Sequence, residues 1–492
     1  MKQRNSITLI CLIFCFSYFH PCIVLSPTPE GLEEVTSSFR RSGIVVGIKS
    51  AHEEDYLLEF AYTPPKLDSR GVDEVDSDSV FRIASLSKVF PVLALLKLHK
   101  VDINDPITKY LPELRKLNKQ AQEQNAIWTT DWDSVTIRAL ASHLSGIPAD
   151  LKTDIEPFAD WTELGFPPVD PTRSLNCSGF LGTPACIKKD FFKQFGKRPP
   201  VYAPFSTNTV YSNVSWALLG WVIEKAPTGM NHTFASQPDS SLGFIPDGDL
   251  CASNYYSSLN DITAFGDAVL RNELLSAAQT RKWLKPVSGT SSSGLLIGEP
   301  WEILRSNNVT KDGRLVEFYT KAGAMITYHS LMGLIPDYDL TITLLAAGPE
   351  TSGGLLRIAF SEIVQELLPA LEQAGKDESE KAYASTYSDE EINSTITFSI
   401  DDEPGLSVIN WTVRGVDIID TFLSIRLPPT FLTPPGLVRF RLYLTSLKTD
   451  TQSSWRSVPA VGTLEGYEDQ ASLFAWPDGN CNTWASLDRI TY

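Results

Sequence analysis

The sequence predicts an α+β domain over residues 26–371, a charged linker at 372–391 and a small all-β domain over 392–492. Three observations carry this. Strand candidates stand at both ends of the first region, Gly43–Ile48 and Tyr56–Phe60 early, then Val316–Thr320, Met325–Leu334 and Leu340–Ala347 late, with helical patterns between them. One sheet built from the N- and C-terminal parts is the economical arrangement of such a pattern. The stretch Glu372–Glu391 is dominated by charge and reads as a linker. Beyond it, Val438–Leu444 alternates cleanly, with Arg439, Arg441 and Tyr443 expected to face out. Leu406–Val413, Ile418–Leu427 and the Pro428-Pro429 and Pro434-Pro435 breaks complete the pattern of a small sandwich or barrel.

Bulk composition narrows the class. The chain has 492 residues, 42% hydrophobic and 21% charged, enough for two or three domains with ample cores. A net charge of −17 argues against nucleic acid and against an anionic membrane surface as partners. Lys2 and Arg4 precede an apolar segment, Ile7–Phe19, and polar sequence follows Leu25. That layout predicts a signal peptide over 1–25 and a secreted protein; an uncleaved membrane anchor is the alternative. Of seven cysteines, Cys11, Cys15 and Cys22 lie in or beside this segment. Cys177 and Cys186 close a short loop and are the expected disulfide, leaving Cys251 and Cys481 as a pair by elimination. Sequons for N-glycosylation start at Asn176, Asn213, Asn231, Asn308, Asn393 and Asn410, in keeping with a secretory route.

Ser85-Leu86-Ser87-Lys88 is the stretch around which the chain is organised. If Val89–Leu98 is a helix, Ser85 lies at its N-terminal end and Lys88 one turn later on the same face. An amine beside a hydroxyl is what a serine nucleophile needs, since the free hydroxyl must lose its proton to a base. Pro91 inside the apolar run predicts an irregular first turn or a late start of the regular helix. Asp133–Arg138 leads into a helical stretch, Ala139–Leu144, that stops at Gly146 and Pro148. Residues 149–205, rich in proline, read as a long insertion over one face. Ser215–Lys225 is apolar on most sides and predicts a buried helix; Leu259–Leu275 and Leu355–Leu371 predict two more.

Two further clusters bear chemistry. Tyr211-Ser212-Asn213 immediately precedes the buried helix, and Lys321-Ala322-Gly323 joins two strand candidates. A tyrosine beside two amines titrates below its usual pKa of about 10 and can accept the Ser85 proton as phenolate. Lys321 would supply the charge. Gly323, lacking Cβ, would let a substrate lie against the strand edge. The main-chain N–H groups of Ala324 and Ser85 would form an oxyanion hole. The bland readings are an N-cap serine, an interfacial tyrosine, a glycosylated Asn213, a solvated strand lysine and a bulge glycine.

In this order the motifs resemble the S-x-x-K, Y-x-N and K-T-G elements of the serine β-lactamase and penicillin-binding protein superfamily, class C-like esterase branch. Val135–Arg138 through His143–Pro148, Ala217–Gly220, Tyr256–Asp261 and Leu334–Tyr338 are similar to further family segments. The resemblance spans residues 40–372. The cysteine-bearing insertion and the appended β domain resemble secreted fungal β-lactamase-like proteins. It implies a β-lactamase/transpeptidase-like fold, an antiparallel sheet flanked by helices with a helical lobe and the site in the cleft. It also implies a serine hydrolase of esterase or amidase type, without cofactor or metal, acting on a small-molecule ester or amide through an acyl-enzyme. Carried over, Ser85 is the nucleophile, Lys88 its partner, Tyr211 the general base, Asn213 an orienting amide and Lys321 the second cation. An acyltransferase with the same nucleophile, or a pseudoenzyme binding through its cleft, are the alternatives. Three departures stand out: Ala322 replaces the K-T-G threonine, Pro91 falls where the nucleophile helix should run smoothly, and Lys225–Tyr255 is short. A metallo-lactamase is disfavoured because the six histidines lack H-x-H-x-D or H-E-x-x-H spacing.

Overall fold

The computed structural model describes residues 11–13, 22–24, 30–69, 71–98, 100–121, 127–150, 162–163, 165, 188–195, 198–206, 208–226, 255–421, 438–449, 452–461 and 489–491. Cys177, Cys186, Cys251, Cys481, Asn176, Asn231 and nearly all of the short stretch after Lys225 lie outside these residues. Of the expected signal segment, Cys11–Ile13 and Cys22–Val24 are described, paired antiparallel. Among the described residues no helix is long and apolar enough to cross a membrane. The chain divides into two compact units, residues 1–307 with 315–364, and residues 308–314 with 365–492.

The first unit is built on an eight-stranded antiparallel sheet. Its strands are β1 (Gly43–Ser50), β2 (Leu58–Tyr62), β3 (Ser288–Gly289), β4 (Leu295–Ile297), β5 (Glu302–Ser306), β6 (Val316–Met325), β7 (Tyr328–Ile335) and β8 (Leu340–Ala347). They lie in the order β2-β1-β8-β7-β6-β5-β4-β3. β1 pairs with β8 from Gly43↔Ala347 to Ser50↔Leu340, so early and late parts of the chain share one sheet. The central strands β1, β7 and β8 are buried along almost their whole length, which explains their unbroken rather than alternating apolar character.

One strand assignment changes. Val316–Thr320 and Met325–Leu334 were expected as separate strands meeting at Lys321-Ala322-Gly323. Instead β6 runs through these three residues, and the hairpin turn falls at Ile326-Thr327, with Ile326 at φ 57°. Two-residue connections favour positive φ because their twist then matches that of the strands.

Helices cover the sheet and form a lobe. They are α1 (Glu30–Ser37), α2 (Val89–Lys97), α3 (Pro112–Ala121), α4 (Ile137–Ala141), α5 (Lys188–Phe195), α6 (Val214–Lys225), α7 (Leu259–Leu270), α8 (Ala277–Trp283) and α9 (Gly353–Tyr383). α4 begins at Thr136, whose hydroxyl caps the Ala139 N–H at 3.1 Å, and is left through His143 at φ 59°. α6 is buried on nearly all sides and joins one core cluster with Val89, Val92, Leu140, Ile147 and Ile83. Burying side chains of this size contributes about 1.5–3 kcal/mol each, before the entropy of ordering them.

The described strands of the second unit form a seven-stranded antiparallel sheet. They are β9 (Thr386–Asp389), β10 (Ser394–Ser399), β11 (Leu406–Val413), β12 (Val416–Asp417), β13 (Val438–Lys448), β14 (Ser453–Val461) and β15 (Arg489–Thr491), with a core of Phe398, Leu406, Val408, Phe440, Leu442 and Trp455. Three expectations are corrected here. The stretch expected as a linker carries the last turns of α9 and strand β9. Its Glu, Lys, Gln and Ala residues favour helix, and Gln373 donates to Asp377 at 2.8 Å across one turn. Residues 418–421, expected to open a strand, are helical. Arg441, expected to face out, is buried: its guanidinium forks onto Asp401 at 2.7 and 2.8 Å and also meets the carbonyls of Glu403, Pro404 and Gly405. Satisfying its donors in this way lets the charge replace a core residue on that face.

Candidate active site

Ser85 sits in a 3₁₀ turn, Ala84–Lys88, rather than in the first turn of an α-helix. With three residues per turn, side chains three apart eclipse one another. Lys88 therefore stands directly beside Ser85, Nζ donating to Oγ at 3.0 Å. The regular helix α2 starts at Val89, which puts Pro91 in its first turn, where no intrahelical N–H donor is needed. Ala84, just before the serine, has φ 47°, a left-handed conformation that costs about 1–3 kcal/mol for a residue with a Cβ. The surroundings hold it there. Ile83 donates its N–H to Tyr255 O at 3.0 Å, its carbonyl accepts from Ser330 Oγ at 2.6 Å, and the Ser87 hydroxyl accepts from Tyr255 N–H at 3.2 Å.

Tyr211 and Asn213 arrive from the segment before α6. Ser212 locks this segment to the loop after α4: its hydroxyl donates to Pro148 O at 2.8 Å, and its N–H donates to His143 Nδ1 at 3.1 Å. The His143 imidazole stacks on the Tyr211 ring with centroids 4.2 Å apart. Burial and the nearby charges of Lys88 and Lys321 push His143 well below its usual pKa, so it is a neutral wall beside the phenol. The Asn213 amide oxygen accepts from Lys88 Nζ at 2.9 Å and its Nδ2 donates to Asp150 Oδ1 at 3.0 Å. That occupation removes Asn213 from the sequons available for glycosylation in the folded chain.

Lys321 comes from the middle of β6. It is fully buried and bonded to Glu302 Oε1 at 2.7 Å and to the carbonyl of Ala322 at 2.8 Å. Its pKa reflects a contest: burial lowers it, but Glu302 and Tyr211 raise it above that of a free lysine. Tyr211 shows the converse. Burial of its hydroxyl end raises its pKa, but the charges of Lys321 and Lys88 and the hydrogen bonds of Ser85 and Lys88 outweigh it, and the phenol ends below its ordinary value. The residue as a whole remains 40% exposed.

Gly323 has a different neighbour from the one expected. A Cβ there would lie 2.3 Å from Ile83 O, 2.5 Å from Ser330 Oγ and 2.9 Å from Ser85 N. The missing side chain makes room for the nucleophile turn, not for a substrate. Ala324 is exposed one residue further on. The two-residue hairpin makes Met325–Tyr328 a hydrogen-bonded pair, and alternation directs the Ala322 and Ala324 N–H groups to the opposite edge. There, among the described residues, β5 pairs only as far as Thr320↔Glu302.

The structure thus brings Ser85, Lys88, Tyr211, Asn213 and Lys321 together. Sequence reasoning missed His143, Asp150 and Glu302. His143 lay within a family-like segment that signalled it; Glu302 had no signal, since only strand pairing sets it beside Lys321.

Comparison with known proteins follows this geometry. A family model described as Beta-lactamase matches residues 60–237, which hold Ser85, Lys88, Tyr211 and Asn213, and a second, Beta-lactamase-like-like, C-terminal domain, matches residues 375–492. Residues 60–237 thus match the β-lactamase family, and these matches support membership of the serine β-lactamase superfamily. A β-lactamase-like protein of Arthroderma benhamiae is 27% identical over 474 residues, covering 86% of this chain and 77% of that one. A probable hydrolase of Cochliobolus lunatus is 25% identical over 441 residues, covering 78% of this chain and 68% of its own. Among solved structures, a D-amino acid amidase from Ochrobactrum anthropi SV3 superposes with a TM-score of 0.46 at 17% identity, over 70% of this chain and 98% of the amidase. The architecture is that of the β-lactamase/transpeptidase fold, and some of the relatives the chain resembles are named hydrolases.

Proposed function

We propose that this β-lactamase superfamily member is a secreted serine hydrolase that opens small esters or amides through an acyl-enzyme on Ser85. The supporting observation is a single one: Ser85 Oγ stands 3.0 Å from a fully buried ammonium, beside a phenol whose pKa is lowered by two cations. In the proposed cycle the Tyr211 phenolate takes the Ser85 proton as Oγ attacks the carbonyl carbon. The negative charge on the carbonyl oxygen falls between the Ser85 and Ala324 N–H groups. Tyr211 then returns the proton to the leaving oxygen or nitrogen as that bond breaks. Water enters and loses its proton to the same phenolate as it attacks the acyl carbon; Tyr211 then returns that proton to Ser85 Oγ as the acid leaves. Lys88 and Lys321 favour the phenolate at the start and at the end of each half-reaction.

Secretion rests on the N-terminal pattern and the sequons, of which Asn308, Asn393 and Asn410 are exposed. The Cys177–Cys186 bridge belongs to the same proposal. The reaction is tested by mass spectrometry after treatment with a fluorophosphonate. The expected result is one covalent adduct on Ser85, absent in Ser85→Ala; well-folded protein with no adduct would overturn the reading. Hydrolysis of p-nitrophenyl acetate with and without an added alcohol separates hydrolysis from acyl transfer. N-terminal sequencing of protein from a secreting host tests removal of residues 1–25.

A further inference from the structure

The Asn213 amide is held between two groups of opposite kind. Lys88 Nζ meets its oxygen at 2.9 Å, and Asp150 Oδ1 meets its nitrogen at 3.0 Å. An ammonium has only donors to offer and an ionised carboxylate only acceptors, so both contacts can be made in one amide orientation alone. Lys88 is fully buried, donates to Ser85 and to Asn213, and has its Nζ 5.1 Å from the centroid of the Tyr211 ring. Reversing the amide would aim an NH₂ group at that ammonium and leave one donor buried without an acceptor.

We propose that Asp150 is a positioning residue for the reaction: it pins the Asn213 amide with its oxygen toward Lys88, and so keeps Lys88 aimed at Ser85 and Tyr211. The proposal rests on Ser85 being the nucleophile. The loop that carries Asp150 is fixed on the same segment. Ala149 O accepts from the N–H of Asn213 at 2.8 Å, Ser212 Oγ donates to Pro148 O at 2.8 Å, and Arg198 donates to the Asp150 carbonyl at 2.8 Å. Asp150 lies at the start of the stretch that the sequence suggested as an insertion, and its carboxylate reaches the nucleophile through three hydrogen bonds, by way of Asn213 and Lys88.

The effect can be separated from simple loss of a charge. The groups facing the Tyr211 phenol are Lys88 and Lys321, the Ser85 hydroxyl and the neutral His143 ring; Glu302 acts on it through Lys321, and Asp150 through Asn213 and Lys88. Removing a negative charge would by itself favour phenolate and move the rising limb of the acylation profile to lower pH. Letting Lys88 swing away would move it to higher pH. Asp150→Asn keeps an acceptor oxygen without the charge; Asp150→Leu has similar size and no acceptor.

The experiment is the rate of fluorophosphonate labelling of Ser85 across pH 5–11 for the full chain and these two variants, with thermal melting alongside. Asp150→Leu is expected to label about tenfold more slowly, the loss of one hydrogen bond to a charged group, with its rising limb moved to higher pH. Asp150→Asn is expected within about threefold of the unsubstituted protein, with the limb unmoved or slightly lower. If Asp150→Leu does not fold, Asp150→Ala carries the same expectation. Equal rates and limbs in the Leu or Ala variant overturn the proposal, and so does an Asn variant as slow as the Leu variant. Failure of the unsubstituted protein to label at Ser85 would instead strike the proposed function.

Discussion

Tyr211 is where the pH dependence originates. Only phenolate accepts the serine proton, so the rate rises as pH passes the phenol pKa. Because Lys321 and Lys88 hold that pKa below its ordinary value, the rise is expected at lower pH than for a free phenol. Lys321→Met removes one cation, and its inflection is expected at higher pH, with acylation roughly a hundredfold slower at neutral pH. A pH–rate profile of p-nitrophenyl acetate hydrolysis checks both; an unmoved inflection counts against phenolate as the base. Gly323 governs placement rather than charge. Gly323→Ala sets a methyl 2.3 Å from Ile83 O and 2.9 Å from Ser85 N, so the nucleophile turn must retreat. The expected cost is about 1–3 kcal/mol of stability together with loss of Ser85 labelling. Thermal melting and labelling together test it, and a variant that still labels at full rate shows that the turn has slack. The Ser85–Lys88 relation was legible because it is local, three residues apart on one turn. The partner of Gly323 was not, because 238 positions separate it from Ser85 and only the sheet decides which backbone it faces.

At the scale of elements, the nucleophile turn and β13 show how a sequence rule bends. Pro91 foretold an irregular helix start, and the chain resolves it with a 3₁₀ turn that places Lys88 over Ser85. The alternation of β13 foretold Arg441 in solvent. Its burial follows from acceptors supplied by residues 401–405, which no periodicity within the strand announces. Hydrogen bonds from Arg441 hold Asp401 below the usual carboxylate range. Arg441→Met leaves Asp401 and three carbonyls without their donor, and about 3 kcal/mol of stability is expected to go. Urea denaturation measures it; a loss below about 1 kcal/mol would mean that water takes over the guanidinium's contacts. The helix α9 teaches a related lesson. Charge in 372–383 looked like a linker, yet Glu, Lys and Ala are also good helix formers, and a helix already begun extends at little cost.

For the whole molecule, the two units have separate cores, one centred on Ile83, Leu140, Leu218 and Leu334, the other on Phe398, Phe440 and Trp455. Separate cores predict two calorimetric transitions, Arg441→Met lowering one and Gly323→Ala the other. A single transition moved by both substitutions would show the units to be one cooperative body. The sequence by itself carried the α+β order, one sheet shared by early and late parts of the first region, the β-rich C-terminal region and the candidacy of Ser85, Lys88, Tyr211, Asn213 and Lys321. These are written in local patterns, because periodicity, caps and short motifs depend on neighbours a few residues apart. Only the tertiary structure decided that Glu302 neutralises Lys321, that Gly323 yields to the serine's own backbone, that His143 walls the phenol and that Asp150 orients Asn213. Each of those contacts joins segments far apart in the chain, and burial makes them matter: a charge or hydroxyl withdrawn from water must find its partner wherever the fold brings one.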